Sequence, residues 1–227
     1  MNIKELYISG RFATDVAHAS CELLGRSVQV LPYRDDDGAG MPVRGSSGAD
    51  FAVVFSRPDI FALEAIGRHA GNAHWLAVFP FERHIVVTST FRPGAACASC
   101  FVRRWLSLPP DGYPQEVVLA IATMAQRYPD VEYTNLNPLA ARMAARFLLR
   151  NMQMRDNEVV LIDTAGLDIQ SARVRAVHGC ACRGTNHSTA TTPRFVRFSN
   201  EFMNLVRQRS PDMRTRIEVT EREDSGI

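Results

Sequence analysis

Apolar residues in the first half of the chain fall in short blocks of strand length, separated by mixed or polar stretches. ELYIS (5–9) is one such block, and SVQVLP (27–32), which alternates, is a second. FAVVFS (51–56) and HWLAVFP (74–80) are nearly unbroken apolar runs, and HIVVTSTF (84–91) reads as one more strand. That is the texture of strands covered on both faces. Between the first two blocks, Ala13 to Leu24 has helical periodicity, with Thr14 or Asp15 near its start. A second helix is predicted over IFALEAIGRHAG, started from Ser56–Asp59 and stopped at Gly71. The polar, glycine-rich YRDDDGAGMPVRGSSGAD (33–50) has to be a loop. Strand–helix–strand, twice over, predicts an α/β protein with a Rossmann-like, mostly parallel sheet and flanking helices.

The second half is more helical. Pro114 to Arg127 predicts one helix, stopped at Tyr128-Pro129. Asn137-Pro138 is a good cap and first-turn pair for another, which carries Leu139, Met143 and Phe147 on one face. EVVLID (158–163) and SARVRAV (171–177) predict two more strands, with Thr164-Ala165-Gly166 turning between them. From Gly184 the texture changes to a small, polar linker, GTNHSTATTPR, and no internal repeat is visible. Phe195, Phe198, Phe202, Leu205 and Val206 then share a helical face, either packed on the domain or free to dock a partner. The expected division is a zinc-bearing α/β domain over 1–183 and a linker with an amphipathic extension over 184–227.

Composition narrows the function classes. The chain has 227 residues, 46% hydrophobic, with a formal net charge of +2. That is enough chain for a real core and too little charge to argue for nucleic acid. No apolar run is long enough to cross a membrane, and MNIKELYISGRF lacks a signal-peptide pattern, so a cytoplasmic location is expected. Of the 26 Lys and Arg residues only Lys4 is a lysine. A phosphate-loop lysine or a mid-chain Schiff base is therefore excluded.

Four of the five cysteines form two tight pairs, Cys97-x-x-Cys100 after the Pro93-Gly94 turn and Cys180-x-Cys182 after the last predicted strand. Cys21 stands alone in a helix and reads as a small buried apolar residue. An odd count without a secretion signal argues against a disulfide framework. A redox dithiol would use one pair and leave the other unexplained. Tetrathiolate zinc accounts for all four, each knuckle aiming two sulfurs at one metal. Such a site has no open position and is structural. His178, two residues before Cys180, is an alternative ligand, whereas His187 reads as a linker residue.

The run from FAVVFSRPDIF to CASCFVRRWLS, with HGCAC near the C-terminus, resembles the zinc-bearing half of ubiquitin-activating-like (ThiF/MoeB-like) proteins. Within that group it looks most like the McbB-like zinc-binding subunits of microcin-type thiazole/oxazole synthetases. The shared features are Asp59 opening a helix, Trp75-Leu76 in a strand, the Pro-Gly-x-x-Cys-x-x-Cys turn, an Arg-rich helix and the late Cys-x-Cys. The resemblance covers roughly residues 3–183. It implies a structural zinc on Cys97, Cys100, Cys180 and Cys182. It also implies a scaffolding subunit that presents a ribosomal precursor peptide to a YcaO-type, ATP-dependent cyclodehydratase, with an FMN-dependent dehydrogenase completing thiazole or oxazole rings. ATP and FMN are then expected on the partner subunits only, and self-association is expected too. Related subunits carry an N-terminal winged-helix peptide clamp. This chain starts directly with the α/β pattern, so the leader is expected to be held by a separate clamp-bearing subunit.

Three rival functions have weaker signals. An active ThiF/MoeB-like adenylating enzyme needs a glycine-rich loop after the first strand, and ISGRFATD offers Gly10 alone. Asp35-Asp36-Asp37 reads as a solvated loop rather than a ribose ligand. A zinc-ribbon nucleic-acid-binding protein would use Arg103, Arg104 and Trp105, but Phe101, Trp105 and Leu108 share a helical face and read as core. For a hydrolase or transferase, His18, His69, His74 and His84 are scattered, and no catalytic or cofactor-binding residues are assigned.

Overall fold

The computed structural model describes residues 4–25, 28–33, 50–107, 112–128, 131, 136, 138–153, 158–166, 168–177, 179, 180 and 182. All of them lie in the unit Met1–Gly184. The readings made for Asp35–Asp37, Leu108, Asn137, His178, His187 and 184–227 fall outside the described residues.

Seven strands form one mixed sheet. In chain order the elements are β1 (Glu5–Ser9), α1 (Arg11–Leu24), β2 (Gln29–Pro32), β3 (Phe51–Phe55), α2 (Ile60–His69), β4 (Trp75–Phe81) and β5 (His84–Val87). They continue with α3 (Ala98–Ser107), α4 (Gln115–Arg127), α5 (Pro138–Gln153), β6 (Glu158–Asp163) and β7 (Ile169–Arg173). The sheet order is β2-β1-β3-β4-β5-β6-β7. β2, β1, β3 and β4 are parallel, and β5, β6 and β7 continue antiparallel.

The apolar runs are unbroken because helices cover both faces. Alternate residues divide between two cores. Tyr7, Phe51, Val53, Phe55, Trp75, Ala77, Phe79 and Phe81 face α2, α3 and α4. Leu6, Ala52, Val54, Leu76 and Val78 face α1 and α5. The second core is rich in alanine where α1 and α5 meet. α5 buries Ala140, Ala141, Ala144 and Ala145 rather than the stripe Leu139–Met143–Phe147, and Leu139 is exposed.

Three boundaries differ from the sequence pattern for local reasons. α1 begins at Arg11, capped by Gly10, two residues before the expected start at Ala13. Its cap comes from elsewhere, since the Ala13 N–H donates to Ser56 Oγ at 3.1 Å. β5 stops at Val87 instead of running to Phe91. The Ala77 N–H donates to the Thr88 hydroxyl rather than to a ladder carbonyl, and pairing resumes as a single bridge between Trp75 and Phe91. β7 covers Ile169–Arg173 instead of 171–177. Its ladder with β6, which begins at Glu158, ends at the pair Glu158–Arg173.

Candidate metal centre

The antiparallel half of the sheet decides where the thiols go. β4 and β6 run one way; β5 and β7 run back. Phe91 therefore returns to the start of β4, and Arg173 to the start of β6. Both cysteine pairs follow these returns. They meet at the end of the sheet where the parallel strands begin, opposite the carboxyl ends where open α/β sheets bind nucleotides.

The first pair is set by α3. Cys97 immediately precedes this helix, and its carbonyl accepts the Phe101 N–H at 3.0 Å. Cys100 lies one turn on and is fully buried. α2 fixes the start of α3 in two ways. The Ser99 hydroxyl donates to Glu64 Oε1 at 2.9 Å. A Cβ on Gly67 would lie 3.0 Å from Ala98 Cβ, so only glycine lets the helices approach this closely. Behind the site Phe91, Phe101 and Trp105 pack in sequence, with ring centroids 6.1 and 5.7 Å apart.

The second pair arrives in a turn. The Cys180 N–H donates to the Val177 carbonyl at 3.1 Å. The Val177 N–H in turn donates to Cys100 Sγ at 3.2 Å, linking the two knuckles directly.

The four sulfurs converge, all within 4.8 Å of one another. Cys97 Sγ lies 3.7 Å from Cys100 and 3.6 Å from Cys180, and Cys100 Sγ lies 3.5 Å from Cys182. No disulfide joins them; all are free thiols. Four sulfurs on a tetrahedron about 2.3 Å from its centre would stand about 3.8 Å apart. The donor set and its spacing thus fit a tetrahedral thiophilic ion such as Zn²⁺, which these four residues could hold. The ion would supply positive charge that four crowded thiolates otherwise lack. Without it, burial pushes the Cys97 and Cys182 thiols up. Cys180 goes the other way, to about 7, because the Cys182 backbone N–H donates to its sulfur. With a sulfur at every corner, the site has no position for substrate.

The remaining candidates are not brought together. Cys21 is partly exposed on α1, well apart in the fold from the cluster. His18 and His69 are exposed, His74 sits 3.4 Å from Asp50, and His84 is buried on β5. Trp105 is buried, so the aromatic next to Arg103 and Arg104 is not offered to a base. Sequence reasoning found the four thiols by their local spacing. It missed Glu64, Gly67, Ser99 and the Val177 N–H, whose partners are remote in sequence and carry no motif.

At the carboxyl ends of the parallel strands, the sheet order reverses between β1 and β3. Gly10 stands there with φ 88°, and a Cβ on it would fall 2.5 Å from Ser56 Oγ. The helix N-terminus that could face a phosphate is therefore occupied by the protein's own hydroxyl. Among the described residues, no helix is long and apolar enough to cross a membrane.

No family model matches the chain, and no curated protein does. Solved structures do match. A chain of the E. coli microcin synthetase McbBCD complex superposes with a TM-score of 0.54 at 13% identity, over 79% of this chain and 68% of that one. A chain of the same complex with pro-MccB17 bound gives 0.51 at 13% identity, over 79% and 69%. The chain thus has a mixed α/β fold similar to that of a component of a microcin synthetase, with four converging thiols at the base of its sheet.

Proposed function

We propose that this chain is a non-catalytic, zinc-stapled subunit of a ribosomal-peptide azole synthetase. Cys97, Cys100, Cys180 and Cys182 hold a structural Zn²⁺. The domain supports a YcaO-type cyclodehydratase and an FMN-dependent dehydrogenase, which convert Cys or Ser of a precursor peptide to thiazole or oxazole. The observation that carries this reading is the convergence of the two cysteine pairs within 4.8 Å on a fold similar to that of a chain of the McbBCD complex. That the McbBCD structure is a complex of several chains supports a hetero-oligomeric setting. The Ser56 hydroxyl at the α1 N-terminus supports a subunit that has given up nucleotide chemistry and kept the fold for its shape.

Native mass spectrometry of the particle purified from the source organism tests the proposal. The expected mass contains one Zn²⁺ per copy of this chain, a YcaO-type protein and a flavin-bearing subunit. A chain that copurifies with none of these, or that releases pyrophosphate from ATP by itself, overturns it.

A further inference from the structure

We propose that the four thiols form a peroxide-responsive clip, in which oxidation releases the ion and replaces it with two disulfides between the knuckles. The proposal rests on the zinc reading of these residues and not on the synthetase assignment. It starts from the sulfur positions. Cys97 Sγ lies 3.6 Å from Cys180 Sγ, and Cys100 Sγ lies 3.5 Å from Cys182 Sγ. These two contacts use each sulfur once, and both cross from one knuckle to the other. Cys97 and Cys100 are nearly as close, at 3.7 Å. Joining them, however, leaves Cys180 and Cys182 to bond across a single residue, in a ring whose short backbone works against ordinary disulfide geometry. The Cys100 sulfur is also held towards the second knuckle, because it accepts the Val177 N–H at 3.2 Å.

Access and proximity suit the chemistry. Cys97, Cys180 and Cys182 are half-buried and within reach of a small oxidant, whereas Cys100 is fully buried. A thiolate that attacks hydrogen peroxide breaks the O–O bond. It keeps one oxygen as a sulfenic acid, and the other leaves as hydroxide and is protonated to water. Every sulfur lies within 4.8 Å of the other three, so each sulfenic acid has a thiolate beside it. That thiolate attacks the oxidised sulfur, the S–O bond breaks, and the departing hydroxide takes a proton. Each disulfide thus consumes two thiolates, one peroxide and two protons, and yields two waters. Two such events withdraw four electrons and remove all four anionic ligands, so Zn²⁺ is released with its charge unchanged. The new bonds join α3 to the segment after β7, as the ion did.

The test uses the full-length chain, its zinc content first measured by elemental analysis, treated with two molecules of hydrogen peroxide per chain. A zinc-responsive dye too weak to strip the untreated chain follows release. Trypsin leaves Cys97 with Cys100 on one peptide and Cys180 with Cys182 on another. In a non-reducing map, bonds between the knuckles therefore join the two peptides, and bonds within them do not. The expected result is loss of most of the zinc, joined peptides, and hydrogen-exchange protection retained over 92–107 and 169–182. Dithiothreitol with added Zn²⁺ should reverse all of it. Zinc retained after peroxide, sulfinic or sulfonic acids at these cysteines, or bonds within each knuckle overturn the proposal. A chain that holds no zinc before treatment overturns the zinc reading as well, which separates that failure from the others.

Discussion

Cys100 is the thiol on which the others depend. It is fully buried, lies 3.5–3.7 Å from two other sulfurs and accepts the Val177 N–H. Cys100→Ser should abolish zinc binding, read as metal content by elemental analysis. Losing even about 3 kcal/mol of the metal's contribution should lower Tm by about 10 °C in a domain of this size. The two pairs were visible in the sequence because a knuckle is a local pattern. Ser56 was not, because it caps a helix that starts more than forty residues earlier. In the sequence Gly10 only stands alone where a glycine-rich loop would be, whereas the structure gives it a steric role against Ser56. Gly10→Ala should destabilise by about 2 kcal/mol in urea denaturation, from the positive φ and the clash together. Ser56→Gly in that background should recover only part of the loss, because the strain at φ remains.

At the scale of elements, strands were legible wherever two helical layers force an unbroken apolar run, and their ends were not. Strand length is set by the partner. β7 stops where β6 starts, and β5 stops where the Thr88 hydroxyl takes over a ladder bond. The α1–α5 contact is likewise invisible to a search for large apolar stripes, since alanines let these helices approach. Ala144 is completely buried there, so Ala144→Leu should cost about 1–3 kcal/mol by overpacking, measured as a shifted urea midpoint. The β6–β7 turn is held by Asp163, whose carboxylate accepts the N–H groups of Ala165 and Gly166. Those N–H groups, and then Arg83, hold the carboxyl below its usual range. Its folded-state pKa is depressed, so its contribution is complete above the ordinary carboxylate pKa and is lost as pH falls through the lowered value. Asp163→Asn should keep the turn and flatten the stability profile in the acid range at and below the ordinary carboxylate pKa.

For the whole molecule, the thiols tie the last part of the domain to one of its two cores. β1, β3 and β4 supply strands to both cores, and the thiols join α3, whose Cys100 lies in the first core, to the segment that follows β7. Removing the ion with a chelator should therefore leave amide protection in those strands and lose it over 92–107 and 169–182, read by hydrogen exchange. Rebinding must expel protons from the thiols, so affinity should fall as pH is lowered. The sequence pointed to the sheet and to the two cysteine pairs that the structure brings together. The antiparallel turn-back that unites them could not be read there, because parallel and antiparallel buried strands have the same apolar texture.

That turn-back also orders events in time. A chain made from its N-terminus presents Cys97 and Cys100 long before their counterparts, with Cys182 lying 82 residues beyond Cys100. Until β7 has been synthesised and seated against β6, the first pair can offer an ion only half a coordination sphere. Closing so long a loop costs little more than closing one of half the length, so the delay, and not the entropy, is the distinguishing term. A tightly held ion thus certifies that the seventh strand is in place. Nascent chains released before Cys180 would lack that certificate and remain open to thiol oxidation and degradation.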